Sequence, residues 1–131
     1  MKPSLRTCPL LLALVLAGCR GESAGRLVPV HGRATLGQRA LARVTIQLVP
    51  DESKGTHAPA GVGQTDEDGS FRITTPPRGE GAVPGRYKVT VASYTGKDVP
   101  RSYADPRTTP LRVEVPPGGL ENWEQIGRAH V

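Results

Sequence analysis

The chain has 131 residues, with 16 glycines, 13 prolines and a formal net charge of +5. Valine, isoleucine and leucine nevertheless recur in short alternating runs, so the composition predicts a small, loop-rich β domain and argues against a disordered chain. The arginines are scattered singly and are not interleaved with aromatic residues. The positive charge therefore indicates a solvated surface, and we expect no nucleic-acid partner.

The first residues have the layout of a secretory signal. Lys2 and Arg6 form a basic start, and the apolar run from Pro9 to Ala17 is too short to span a bilayer as a mature helix. The run ends in the letters LAGC at residues 16–19, which resemble the lipobox of bacterial lipoproteins. That resemblance implies cleavage of a lipoprotein signal peptide, residues 1–18, and acylation of the new N terminus, for example with palmitate.

The implied cleavage would divide the chain into a signal and a mature, anchored protein. Cys19 would carry the lipid, and Cys8 would be removed with the signal, so we predict no disulfide. Residues 19–26 are small or charged and predict a short lipidated tether. The alternative is a plain secretory peptide that is cleaved nearby, with Cys19 incidental. We expect the mature protein to be held on a membrane through lipid on Cys19, in the cell envelope, facing the periplasm or the cell surface.

Apolar and polar residues alternate along most of the remaining chain. The alternation predicts strands over residues 28–34, 44–50, 61–75 (a hairpin), 85–94, 111–115 and 120–124. Loops rich in proline and glycine are expected at 51–59, 76–84 and 96–110. No segment after the signal repeats apolar residues at helical spacing. The pattern therefore predicts an all-β fold, an antiparallel sandwich or barrel.

The stretch from residue 61 to residue 75 predicts a β-hairpin with an acidic turn. Apolar and polar residues alternate from Phe71 onward, as on a half-buried strand. Asp66, Asp68 and Gly69 are typical turn residues, because short carboxylates bind nearby backbone N–H groups and glycine tolerates positive φ. A metal site at Asp66 and Asp68 is the weaker alternative, because a calcium loop of the EF-hand type needs ligands up to its twelfth position and core residues follow here at once.

Four stretches in a fixed order carry a family resemblance. They are VPVHGRATLGQRALARVTIQLVPD, GVGQTDEDGSFRITT, GAVPGRYKVTV and YADPRTTPLRVEV. Together with the lipobox they resemble the carboxypeptidase regulatory-like domains carried by many lipoproteins of planctomycete-type bacteria, over nearly all of residues 27–115. The resemblance implies an antiparallel, transthyretin-like (prealbumin-like) β-sandwich of about seven strands. It also implies a non-catalytic, extracytoplasmic binding or scaffolding module, without assigning a ligand to particular residues.

The end of the chain departs from that pattern. A closing strand is expected from Leu120 onward, with Trp123 as a core residue. Residues 126–131, however, can be reverse-translated into a sequence that resembles a common sequencing adapter. We therefore predict a domain over residues 27–125, a closing strand cut short near its end, and an artefactual tail over residues 126–131.

The residues that could support catalysis are sparse. His31 lies in a strand, His57 in a loop and His130 in the suspected tail. Cys19 is the one cysteine predicted to remain in the mature chain, so neither a Cys-His pair nor a zinc set of Cys and His is expected. The serines at 53, 70, 93 and 102 do not lie in a G-x-S-x-G turn. We predict no catalytic residue and no cofactor, and a cryptic hydrolase that uses His31 is the least favoured alternative.

Binding would be expected at the loops, where a sandwich displays its variable residues. Tyr94, Arg101, Tyr103 and Arg107 could together meet a carbohydrate or an acidic partner. Alternatively, Tyr103 packs in a core that has few other aromatic residues. The sequence thus predicts a structural or protein-interaction module whose partner is an envelope protein or glycan. The alternative is a carbohydrate- or peptide-binding accessory protein that uses this loop end.

Overall fold

The computed structural model describes residues 25–94 and 99–127. Within these two ranges the chain forms ten strands and two short 3₁₀ turns, Glu52–Lys54 and Arg101–Ala104. The strands are β1 (Val30–Leu36), β2 (Arg39–Ala40), β3 (Val44–Pro50), β4 (Gly61–Gln64), β5 (Ser70–Arg72), β6 (Thr74–Thr75), β7 (Gly79–Glu80), β8 (Gly85–Ser93), β9 (Arg112–Val115) and β10 (Leu120–Gly127). The described ranges contain no α-helix, which confirms the all-β prediction.

The strands form two sheets. One sheet has six strands in the order β7-β6-β4-β3-β8-β9, and all its neighbouring pairs are antiparallel. The other has four strands in the order β10-β1-β2, with β5 also paired to β1. Three of the ten strands, β2, β6 and β7, have only two residues each, so seven longer strands remain. The architecture is that of a β-sandwich, as the strand pattern predicted.

One strand pair corrects the prediction of a wholly antiparallel fold, because β1 and β10 run parallel. The cause lies in the turn before β10, where Gly119 N donates to Pro116 O at 2.9 Å. This turn carries the chain from β9, at the edge of the six-stranded sheet, to the edge of the other sheet. There Leu120 N donates to Pro29 O at 2.8 Å, so β10 starts beside the start of β1 and runs in the same direction.

The core is built from the alternating faces of β3 and β8, as predicted. Ile46 pairs with Val91 and Leu48 with Val89, and all four side chains are buried. Each such aliphatic side chain contributes about 1.5–3 kcal/mol when it leaves water. Tyr87 is buried on the same face, and its hydroxyl donates to the Val83 carbonyl at 2.6 Å. The polar end of the ring therefore keeps a partner inside the core.

The acidic turn forms as predicted, but the two arms of the expected hairpin join different sheets. Gly69 N donates to Asp66 O at 3.2 Å, and Gly69 has φ +88°, which glycine adopts without a Cβ clash. β4 pairs with β3, whereas β5 pairs with β1 in the other sheet. The arms meet again at Val62 and Thr74, where β6 pairs with β4. The simple hairpin was wrong because the chain crosses between the sheets at the buried Ile73.

The predicted loop at 76–84 also needs correction. β6, just before the predicted loop, forms a short antiparallel pair with β7, which lies inside it. Further along the loop, Ala82 pairs with Val28 through two backbone hydrogen bonds of 2.8 and 2.9 Å. Ala82 and Val28 are both buried. The segment thus belongs to the core layer. Its two-residue strands are too short to show any alternation in the sequence.

The closing strand is present and is longer than predicted. β10 runs through Glu124 to Gly127, and Thr35 and Leu36 of β1 pair with Ile126 and Gly127. The first two residues of the suspected tail are therefore placed in a strand, while 128–131 lie outside the described residues. Whether 126–131 are artefactual stays a prediction.

Candidate functional site

The four residues predicted as a binding surface at the loop end differ in their exposure. Tyr94 is 83% exposed and directly precedes residues 95–98, which lie outside the described ranges. Tyr103 is only 9% exposed and belongs to the hydrophobic core, so its ring is not available to a partner. Tyr103 therefore lies in the core, as the alternative interpretation expected. Arg101 is exposed at the start of the same 3₁₀ turn.

Arg107 is exposed but already holds a carboxylate. Its Nε lies 3.2 Å from Asp105 Oδ1, and its NH2 nitrogen lies 3.0 Å from Asp105 Oδ2. The backbone N of Arg107 also donates to Asp105 Oδ1, at 2.8 Å. The side-chain hydrogen bond from Arg107 lowers the pKa of Asp105, and the same bond raises the pKa of Arg107. This paired arrangement fixes the loop locally.

The carboxylates of the acidic turn are directed at the backbone of the turn. Asp66 Oδ1 accepts the N–H groups of Asp68 and Ser70, each at 3.1 Å, and Asp68 Oδ1 accepts Ser70 N at 3.0 Å. Hydrogen bonding with Asp66 and with Ser70 lowers the pKa of Asp68 to about 2. The turn brings Asp66 and Asp68 together, as a metal site would require. In the described part of the chain, however, no group of three or more His, Cys, Asp or Glu residues could hold a metal ion.

The four-stranded sheet has a groove on the face that points away from the core, and sequence reasoning missed it. We call it the outer groove, and His31, Arg33 and Arg72 are among the residues that line it. Val30 and Ala34 of β1 are fully buried, so alternation places His31 and Arg33 on the opposite face. β5 and β10 flank this part of β1 on its two sides. The groove has a volume of about 680 Å³.

Cross-strand pairing assembles the polar groups of the outer groove. His31 pairs with Arg72 and Arg33 with Ser70 across the β1–β5 ladder, while Arg33 pairs with Glu124 across the β1–β10 ladder. Directly paired residues point to the same face of a sheet. Further polar side chains around the groove come from the acidic turn, from β4 and from the start of β10: Asp66, Gln64, Glu121 and Asn122.

Two aromatic residues, Phe71 and Trp123, lie behind the outer groove on the core-facing side of the four-stranded sheet, where Phe71 is buried and Trp123 packs against the core. The rings of Phe71 and Trp123 meet edge to face, with centroids 5.5 Å apart and an interplanar angle of 78°. Gly32 pairs with both residues, and a Cβ at Gly32 would lie 2.8 Å from Phe71 Cζ and closer still to the carbonyl oxygen of Trp123. The absence of a side chain at Gly32 therefore allows the Phe71 ring and the Trp123 backbone to lie close to β1. Trp123 remains partly exposed.

One carboxylate lies beside both a histidine and an arginine at the side of the groove. Glu80 Oε2 lies 3.5 Å from His31 Nε2 and 3.5 Å from the NH1 nitrogen of Arg72. Their side chains are 51%, 35% and 70% exposed, respectively, so solvent screens both pairs and each contributes little to stability. The pairs hold His31 and Arg72 beside each other at the groove.

The predicted lipid site cannot be placed. Cys19 and the signal residues 1–18 lie outside the described residues, as does most of the tether at 19–26. Among residues 25–94 and 99–127, no helix has the length and apolar character needed to cross a bilayer. No protein-family model, no curated protein and no solved structure matches the chain.

Proposed function

We propose that this protein is a lipid-anchored, non-catalytic module of the bacterial cell envelope. In this proposal the β-sandwich is transthyretin-like and belongs to the carboxypeptidase regulatory-like type, and its role is structural or in protein interaction. The observation that carries the proposal is the sequence LAGC at residues 16–19, at the end of an apolar run of signal length. The partners would be a membrane, through lipid on Cys19, and an envelope protein or glycan.

The position of the first residues that the structure describes supports a domain held close to the membrane. Arg78 donates from its NH2 nitrogen to the carbonyl of Gly25 at 2.8 Å, and Val28 is already paired with Ala82. The chain is therefore fixed to the sandwich from Gly25 onward. Six peptide links from Cys19 to Gly25 can span at most about 20 Å. A lipid on Cys19 would keep this end of the sandwich within that distance of the bilayer surface.

The contacts of His31 define a test of the hydrolase alternative. Its Nε2 faces the Glu80 carboxylate, which also faces Arg72. General-base catalysis requires a histidine within hydrogen-bond reach of the proton that it removes. A panel of ester, amide and glycoside substrates tests this point, and turnover that disappears in His31→Ala would establish the hydrolase alternative in place of our proposal.

A carbohydrate- or peptide-binding accessory role is the second candidate. Exposed hydrogen-bonding side chains that line the outer groove favour it. The loop end supports it less, because Tyr103 is buried and Arg107 is paired with Asp105.

The intact mass of the mature protein, isolated from bacterial membranes, tests the anchor. We expect cleavage before Cys19, leaving 131 − 18 = 113 residues plus the mass of acyl chains. The Cys19→Ala variant should lack the acyl mass and should leave the membrane fraction. An unlipidated wild-type protein in the soluble fraction would overturn the proposal.

A further inference from the structure

The first described residues enter the sandwich between two turns at one end of it. Arg78, in the turn between β6 and β7, donates to the carbonyl of Gly25 at 2.8 Å. The turn before β10 lies against the same stretch, because a Cβ at Gly119 would be 2.5 Å from the carbonyl oxygen of Pro29. We call this part of the molecule the entry end; it comprises residues 25–29, 76–78 and 116–119.

The opposite end of the sandwich is separated from the entry end by the length of β1. β1 starts next to the entry end, has seven residues and leads into the turn that contains Gln38. The acidic turn also lies near this far end, since Ala34 N donates to Gly69 O at 2.9 Å. At about 3.3 Å per residue, β1 keeps the entry end and the far end about 20 Å apart.

The entry end presents exposed arginines beside the point where the chain enters. Arg26 and Arg78 are both exposed. Glu80, which follows on β7, lies beside His31 and Arg72. Guanidinium groups match the oxygen atoms of phosphate, and cationic side chains close to an anionic bilayer favour its binding. The charge at the entry end therefore suits the phosphate groups of lipids.

The far end carries the acidic turn. Of its three carboxylates, Glu67 is paired with Arg43 at 3.2 Å, whereas those of Asp66 and Asp68 accept hydrogen bonds from the backbone of the turn. Anionic headgroups repel carboxylates. The acidic turn therefore gains nothing from an approach to the bilayer, which favours its position on the side away from the membrane.

The length of chain before the entry end sets the possible orientations. Even fully extended, the six peptide links from Cys19 to Gly25 span at most about 20 Å, which is about the length of β1. If the far end lay on the bilayer, Gly25 would stand at least that far above it, and the tether would be stretched to its limit. With the entry end on the bilayer, the tether has slack.

From these observations we infer that the entry end is the surface by which the sandwich meets the lipid headgroups of the membrane. Arg26 contacts lipid phosphate, Arg78 holds the entering chain at the turn, and the acidic turn faces away from the bilayer. The inference rests on the proposed lipid anchor and adds the surface through which the anchored domain contacts its membrane.

Quenching of a fluorescent label by lipids with a nitroxide on the headgroup tests this orientation. The acylated protein, purified from membranes, is placed in vesicles of phosphatidylcholine and phosphatidylglycerol. The label is attached to Gly118→Cys at the entry end or to Gln38→Cys at the far end. Both positions are exposed turn residues, and a Cβ at Gly118 meets nothing within 4 Å. Wild-type protein treated with the same dye is the blank.

We expect the label at Gly118 to be quenched about threefold more strongly than the label at Gln38, because the two ends differ by about 20 Å in height. Arg26→Gln should reduce this excess about twofold in vesicles with phosphatidylglycerol and should leave it unchanged in phosphatidylcholine alone. Arg39→Gln makes the same change at an exposed position of the far end and should have no effect. Circular dichroism checks that each variant is folded.

Two results would overturn the orientation alone. The first is equal quenching of the two labels, or stronger quenching at Gln38, in protein whose intact mass shows acylation. The second is an excess that falls in Arg39→Gln and not in Arg26→Gln. In both cases the lipid anchor would stand. An intact mass with an unmodified Cys19 would instead overturn the anchor together with the orientation, so the two failures are distinguishable.

Discussion

The outer groove and the loop end differ in how their polar residues are brought together. In the loop end, Arg107 binds Asp105, two residues away, and Tyr103 turns into the core. In the outer groove, His31, Arg72 and Glu124 come from three segments that are far apart in the chain and adjacent in the sheet. Arg107 and Asp105, which are close in sequence, thus form an ion pair with each other. The strands β1, β5 and β10, which are distant in sequence, form an exposed polar surface together.

The contrast shows why several aromatic and basic residues in one loop are a poor guide to a binding surface. A small domain with few aromatic residues uses them first in its core, and Tyr103 is an example. Sheet pairing, in contrast, places every second side chain on the outer face regardless of the sequence distance between strands. Substitutions at one aromatic residue of the loop end and at one glycine of the groove test this division.

Removal of the Tyr103 ring should have the largest effect. Tyr103→Ala takes a buried aromatic residue from the core and is expected to lower the free energy of unfolding by about 3–5 kcal/mol. Tyr94→Ala is the matched control, because Tyr94 is 83% exposed and its loss should change stability by less than about 0.5 kcal/mol. Urea unfolding measures both. Equal losses would contradict the different placement of the two tyrosines.

A side chain at Gly32 should disrupt the packing of β1 against Phe71 and Trp123, behind the groove. In Gly32→Ala the new Cβ would clash with the Phe71 ring and the Trp123 carbonyl, at an expected cost of about 1–3 kcal/mol. Gly118→Ala is the control, since nothing lies within 4 Å of a Cβ at Gly118. Thermal unfolding of both variants checks the prediction. A Gly32→Ala protein as stable as Gly118→Ala would show that β10 does not approach β1 so closely.

The buried hydroxyl of Thr109 should have a smaller effect. It donates to Val89 O at 2.7 Å and accepts from Leu111 N at 3.2 Å, which fixes the end of the long loop to β8. Thr109→Val leaves both backbone groups without this partner, so we expect a loss of about 1–2 kcal/mol. Thr108→Val, which removes an exposed hydroxyl, should cost less than half as much. Urea unfolding that ranks the two variants in the reverse order would contradict the prediction.

Acid should weaken the acidic turn slightly. The pKa of Asp68 is lowered from 3.8 to about 2 in the folded chain, so the folded state holds this proton less tightly than the unfolded state does. The resulting stabilisation is fully present above about pH 4 and is lost as the pH falls toward 2. The difference in Tm between wild type and Asp68→Asn should therefore shrink over this pH range. A constant difference would show that the carboxylate is not held by the turn.

The parts of the fold that depend on alternation within one segment could be predicted from the sequence. The buried faces of β3 and β8, with Ile46 and Val89 as members, follow directly from period-2 runs of branched residues. The acidic turn followed from Asp66 and Gly69, because their turn chemistry is local.

The choice of strand partners could not be predicted in the same way. β5 continues the acidic turn, yet it pairs with β1, because Phe71 and Ile73 are buried when the chain crosses between sheets. β10 pairs parallel to β1 because the preceding turn places the start of β10 beside the start of β1. The outer groove depends on both choices, so its residues could be recognised in the sequence only as isolated polar positions such as Arg33.

The pairing of β1 with β10 is the most direct test, since the outer groove requires it. Interstrand nuclear Overhauser effects of isotope-labelled protein would report on this pair. We predict backbone contacts between Arg33 and Glu124 and between Ala34 and Gln125, in the pattern of parallel strands. Antiparallel contacts, or contacts of Glu124 with a strand other than β1, would contradict the arrangement from which the groove is formed.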